Sequence, residues 1–203
     1  MADYVTEDGL RAYIGSESTN FASILPTICT VASRGIDGLC GRYFSQDAAV
    51  SVRYFDPDDP YCTPTDDIST TTGLIVATDD AANGGYSTAW TLDTDYFLEP
   101  VNQRQGPVGG WPYTEITALN TRWFARNVIS RRPLVKVTAR WGWAAVPDQI
   151  THAALIAAAR LFKMKDAADG FIGLDGWGPV RVKENPEVRA LCGPFIRNPV
   201  VVV

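Results

Sequence analysis

The stretch LVKVTARWGWAAVPDQITHAALIAAARLFKMK, from Leu134 to Lys165, changes its apolar spacing partway along. Val135, Val137, Ala139 and Trp141 alternate with Lys136, Thr138 and Arg140, the two-residue period of a half-buried antiparallel strand. After Pro147 the spacing becomes three and four: Ile150, Ala154, Ala157, Leu161 and Met164 share one helical face. Pro147 suits the first turn of that helix, and Asp148 complements its positive end. A chain that passes from one period to the other within thirty-odd residues must hold both a sheet and helices, which is the α+β class.

The same two periods divide the whole sequence. Thr6 caps a short helix EDGLRAYI that ends at Gly15, and Leu25, Ile28, Ala32, Ile36, Leu39 and Tyr43 trace one face of a second helix entered near Pro26. From there the chain becomes rich in Thr, Val, Tyr and Trp. AVSVRYF, TGLIVAT, YSTAWTL, DYFLEP, YTEITAL and LVKVTARW read as strands, with Asn83-Gly84 marking a hairpin. The acidic, proline-rich FDPDDPYCTPTDD is expected to be a loop that does not pair across a sheet. Beyond the alanine-rich helix, DGFIGLDGWG reads as a loop and PVRVK as a short strand. NPEVRALCG is a short helix, with Asn185 as cap, Pro186 at its first position and Gly193 past its end. The expected organisation is a helical body over residues 1–47 and 147–198, interrupted by an antiparallel β-sandwich or barrel-like domain over residues 48–146. An extended tail follows over residues 199–203.

Several functional classes fit the residues poorly. The only histidine, His152, lies in the alanine-rich helix, and no G-x-S-x-G elbow accompanies it, so a catalytic triad is not expected. One histidine and four dispersed cysteines (Cys29, Cys40, Cys62, Cys192) do not make a zinc cluster; the thiols read as small buried hydrophobes. The acid pairs Asp58-Asp59, Asp66-Asp67 and Asp79-Asp80 match no calcium-loop spacing and read as solvated loop acids. No catalytic, cofactor or metal site is expected. There is no apolar run long enough for a membrane span and no secretory pattern near Met1, so synthesis and assembly in a cytoplasm are expected.

Three features point toward partners. The alanine-rich helix is apolar nearly all round, which suggests burial by another subunit through Ile150, Ala153, Ala154, Ala157, Ala158 and Leu161. Residues 1–110 carry 16 acids and 5 bases, whereas residues 111–203 carry 7 acids and 13 bases. The basic part includes Arg126, Arg131, Arg132, Lys136 and Arg140. These read as a solvated face, a partner-docking face or a stripe touching nucleic acid without sequence preference. Finally, Arg197, Asn198, Pro199, Val200, Val201, Val202 and Val203 form an extended, apolar end that either joins the chain's own sheet or adds a strand to another protein.

With these pieces in view, the sequence resembles the head-tail connector (adaptor, or head completion) proteins of long-tailed bacteriophages, particularly those of actinobacteria. The resemblance rests on IDGLCGRYF (36–44), DDISTTTGLIVATDD (66–80), DYFLEP (95–100), VKVTARWGWAAVPDQITHAALIAAARLFKMKDA (135–167) and VRVKENPEVRALCGPF (180–195). It implies a non-enzymatic ring, commonly of twelve subunits, in the neck of a virion beneath the portal. Such a ring carries the double-stranded DNA channel toward the stopper or tail-completion protein. It also implies that the helical body makes the ring and that the segment from Arg197 to Val203 reaches the portal. Met164-Lys165 departs from the basic pair common at that place in the family. The competing reading is a β-rich carbohydrate- or host-surface-binding module using Trp90, Trp111 and Tyr113.

Overall fold

The computed structural model of the protein describes residues 2–15, 21–102, 110–124, 133–166 and 185–197. The chain divides into two compact units, one of Met1–Phe44 with Val146–Val203, the other of Ser45–Ala145. Among the described residues the order of elements is two helices, six strands and two helices.

In the helical unit, α1 spans Glu7–Ile14. Thr6 Oγ1 accepts the Gly9 N–H at 3.1 Å, and Gly15 closes the helix in the left-handed region. Helix α2 runs Leu25–Cys40, with Pro26 in its first turn and Gly41 as its left-handed cap. Its buried positions Leu25, Ile28, Cys29, Ala32, Ile36 and Cys40 recur at steps of three and four, as the sequence spacing predicts. Tyr43 does not belong to that face: it lies past the helix end and is exposed. Helix α3, Asp148–Asp166, packs on α1, α2 and α4 (Pro186–Cys192). Asn185 caps α4 by accepting from the N–H groups of Glu187 and Val188. Gly193 continues right-handed into a 3-10 turn, Gly193–Phe195, rather than ending α4 in a left-handed cap. Edge-on ring contacts tie the ends together, Phe44 lying 5.9 Å from Tyr4 and 5.8 Å from Phe195.

The second unit is one antiparallel sheet. Its strands are β1 Ser51–Phe55, β2 Cys62–Thr78, β3 Thr88–Trp90, β4 Tyr96–Glu99, β5 Tyr113–Ala118 and β6 Val135–Trp141. The order is β1-β6-β2-β5-β4, with β3 also on β2, so among the described residues β1 and β4 are edges and the sheet does not close into a barrel. Ile68, Val76, Tyr96, Leu98, Ile116, Val135, Val137 and Trp141 fill the core, where Trp90 stacks on Phe124 at 4.6 Å. Strand β2 organises the sheet by serving β5 with its first part and β6 and β3 with its second. Register shifts after Pro64, Ile68 and Thr70 mark where it changes partners.

That first part corrects the sequence reading. Cys62, Thr63 and Pro64 pair with Thr117, Ile116 and Glu115, where the proline-rich stretch was expected to be a loop. Proline is tolerated because its register partner is β5 alone and the ladder shifts immediately after it. The hairpin at Asn83-Gly84 is also wider than a two-residue turn. Thr78 and Thr88 are the last register pair, and Asp79 accepts the N–H groups of Asn83 and Gly84 across the loop.

Candidate functional site: assembly surfaces

The alanines of α3 are covered within the chain. Ile150, Ala153, Ala154 and Ala158 are fully buried, and Ala157 keeps only 3% of its surface exposed. Leu161 is half-buried. Five of the residues expected at a subunit interface are thus already covered within the single chain. An all-round apolar helix needs cover on several sides, and α1, α2 and α4 supply it. Among its described side chains, α3 leaves outside Asp148, His152, Arg160, Lys163 and Met164. His152 sits edge-on to Tyr13 at 6.3 Å, and Arg160 pairs with Glu187 at 3.2 Å. The half-buried Arg197 donates its backbone N–H to the Cys40 carbonyl at 2.8 Å. Asn198 to Val203 lie outside the described residues.

Of the basic residues expected to touch a channel or partner, Arg126, Arg131 and Arg132 also lie outside the described residues. Lys136 and Arg140 project from the same side of β6, opposite Val135, Val137 and Ala139. Arg140 is structural: its guanidinium donates to the carbonyls of Asp47 at 2.8 Å and Ala48 at 3.3 Å. The paired acids are less solvated than their spacing suggests. Asp67 is buried and accepts Trp143 Nε1 at 3.0 Å, and Asp79 is buried under its own turn. Asp66 pairs with Arg53 at 2.7 Å. Among the described residues, no group of three or more Asp, Glu, His or Cys stands together to hold a metal ion.

Strand β1 carries a surface that the sequence reading did not single out. Arg53 and Phe55 pair in register with Val137 and Val135, so they share the core face. There the Arg53 guanidinium lies 4.6 Å from the centre of a Trp141 ring. Val52 and Tyr54 therefore point outward. Val52, Thr138 and Ile75 form one row across β1, β6 and β2; Tyr54, Lys136 and Ala77 form the next. Val50, Val52, Tyr54 and Ile75 are all exposed, Ile75 by 58%. An edge strand that turns its charge inward and its apolar groups outward inverts the usual pattern. The available signal was SVRYF itself, in which arginine interrupts the apolar alternation.

The residues of the carbohydrate-binding alternative do not make an open platform. Trp90 is 6% exposed and stacked in the core, and Trp111 is tilted on Trp143 at 4.9 Å. Tyr113 is half-buried on β5. A cleft of about 260 Å³ is lined by Asp80, Trp90, Thr121, Arg122 and the exposed Trp123. Its arginine is held by Asp95 at 2.7 Å, and the same contact keeps the Asp95 carboxyl below the usual carboxylate range. Among the described residues no helix is long and apolar enough to cross a membrane.

No family model matches the sequence, and no curated protein matches it. Solved structures do match the fold. A chain from the neck of an empty gene transfer agent particle, computed with C6 symmetry, aligns at a TM-score of 0.54 and 15% identity, covering 97% of this chain and 91% of that one. A chain from the virion of a native gene transfer agent particle aligns at 0.52 and 17% identity, with the same coverages. The protein thus has the fold of chains found in those particles, over nearly its whole length. At these identities the likeness is one of fold.

Proposed function

We propose that the protein is a structural subunit of a phage-type virion neck. In this reading it is a head-to-tail adaptor that forms a homo-oligomeric ring beneath the portal and continues the DNA channel to the stopper or tail-completion protein. The observation that carries the reading is the fold shared with a gene transfer agent neck chain across 97% of this chain. The resemblance to phage connector sequences supports the same role, as well as a ring of twelve, assembly in the host cytoplasm and non-specific contact with passing DNA. The ring contact in this proposal includes the outward apolar groups Val52 and Tyr54 of β1 and Ile75 of β2, because the α3 alanines are already covered. A head-to-tail ring joins two different patches of one chain, so one exposed face meets a dissimilar face of the next copy.

Residues 197–203 are proposed to anchor the ring by adding an extended strand to the portal, with avidity around the ring making weak single tails sufficient. The test is a chain truncated after Asn198, mixed with DNA-filled heads. It is expected to stay folded and to lose docking; docking equal to that of the full chain removes the tail as anchor.

A further inference from the structure

Helices α2 and α4, which pack on each other, end on two fully buried cysteines, Cys40 and Cys192, whose thiols are near enough to influence each other's ionisation. The neighbourhood is closely fixed. Gly41 caps α2 beside the Arg197 backbone, Arg197 bonds to the Cys40 carbonyl at 2.8 Å, and Phe44 meets Phe195 at 5.8 Å. The other two thiols are placed differently. Cys29 lies eleven residues before Cys40 on the same helix, about 16 Å away at 1.5 Å rise per residue, which is beyond disulfide reach. Cys62 belongs to the sheet unit.

We propose that Cys40 and Cys192 are a disulfide-forming pair that locks the end of α4, and with it the root of the C-terminal segment, onto α2. Neighbouring thiols on packed helix ends can be brought to bonding distance by side-chain rotation and a small approach. The neighbouring Cys40 thiol favours the Cys192 thiolate against the opposing effect of burial. With a peroxide as oxidant, the Cys192 thiolate takes one oxygen to become a sulfenic acid and releases hydroxide. Cys40 sulfur then attacks the Cys192 sulfur, the S–O bond breaks and water leaves. The net change is two thiols and one hydrogen peroxide giving one disulfide and two waters. Burial makes the reaction depend on local opening, which keeps the pair reduced in a cytoplasm and lets it close where thiol reductants are absent. This setting rests on the proposed virion role, since a neck protein is assembled in a reducing cell and works outside it.

The test treats the full chain with hydrogen peroxide, then unfolds it, alkylates the remaining thiols and maps the peptides. The expected product is a Cys40–Cys192 cross-linked peptide, with Cys29 and Cys62 alkylated. Melting of the oxidised chain should rise by about 5 °C or more, and a thiol reductant should reverse the rise. Sulfinic acid at either cysteine without a cross-link, unmodified thiols at both, or a dominant link to Cys62 overturns the assignment. Cys192→Ser, which removes one sulfur, should abolish both the link and the melting shift. Because the free chain is assayed, failure here leaves the neck reading untouched. A cross-link in a chain absent from necks would leave the cysteine pair standing alone.

Discussion

The phenol of Tyr4 donates to the carboxylate of Asp37, joining the segment before α1 to the fourth turn of α2. The same oxygen accepts the Phe44 N–H at 2.9 Å, and Arg34 approaches the other Asp37 oxygen at 3.1 Å. One hydroxyl thus satisfies a buried acid and a buried backbone donor at the place where the chain leaves the helical unit.

Tyr4→Phe should therefore destabilise that unit by about 1–3 kcal/mol, since it leaves polar partners buried without their hydroxyl. Burial raises the Asp37 carboxyl above its ordinary value, while the Tyr4 hydrogen bond and then Arg34 oppose the rise. The folded state consequently holds the Asp37 proton more tightly than the unfolded state does. This contribution to stability is full below the unfolded pKa and is lost as pH rises through the folded one. Removing the Tyr4 hydroxyl raises the folded value further and widens that window. Thermal melts of both proteins across the acid range check this; identical pH profiles would contradict it.

Ala157→Trp should lower the stability of the isolated chain by about 1–3 kcal/mol or more, because the site is closed by the chain's own helices. Denaturant melts of the monomer measure it. A variant that folds like the parent but fails only in assembly would return this face to the ring contact.

Much of the fold was legible because local chemistry and global packing agree there. Thr6, Gly15 and Asn185 bound their helices as their side chains and conformations require. The alternation on β6 gave its buried face residue by residue. Two things were not legible. Composition around Pro64 argues for a loop, yet a proline is compatible with a strand paired to one neighbour, a fact fixed only by the sheet order. Periodicity likewise shows that the α3 alanines are buried but not by what, and the cover proved to be α1, α2 and α4. The outward rows on β1 and β2 became visible only once register put Arg53 on the core side.

Ile75→Asp should leave the monomer within about 0.5 kcal/mol of the parent, as an exposed substitution away from the core does. It should nevertheless reduce ring formation by placing a charge in the apolar row with Val52. Sedimentation of the assembled ring, alongside a melt of the free chain, separates the two effects. Undiminished ring formation would remove this row from the contact.

Gly142→Ala should destabilise the sheet unit by more than about 1 kcal/mol. Gly142 has φ +97°, and an added Cβ would fall 2.0 Å from the Ser45 carbonyl oxygen. The loss should appear as an earlier melt of β-sheet signal. An unchanged melt would mean that the backbone at Trp141–Trp143 relaxes freely.

The neck role itself is tested most directly by imaging assembled particles that carry a labelled copy of this chain. The account predicts a rotationally symmetric ring of label at the junction of head and tail, immediately below the portal. Label on the capsid surface or at the tail tip, or particles complete without the chain, would contradict it.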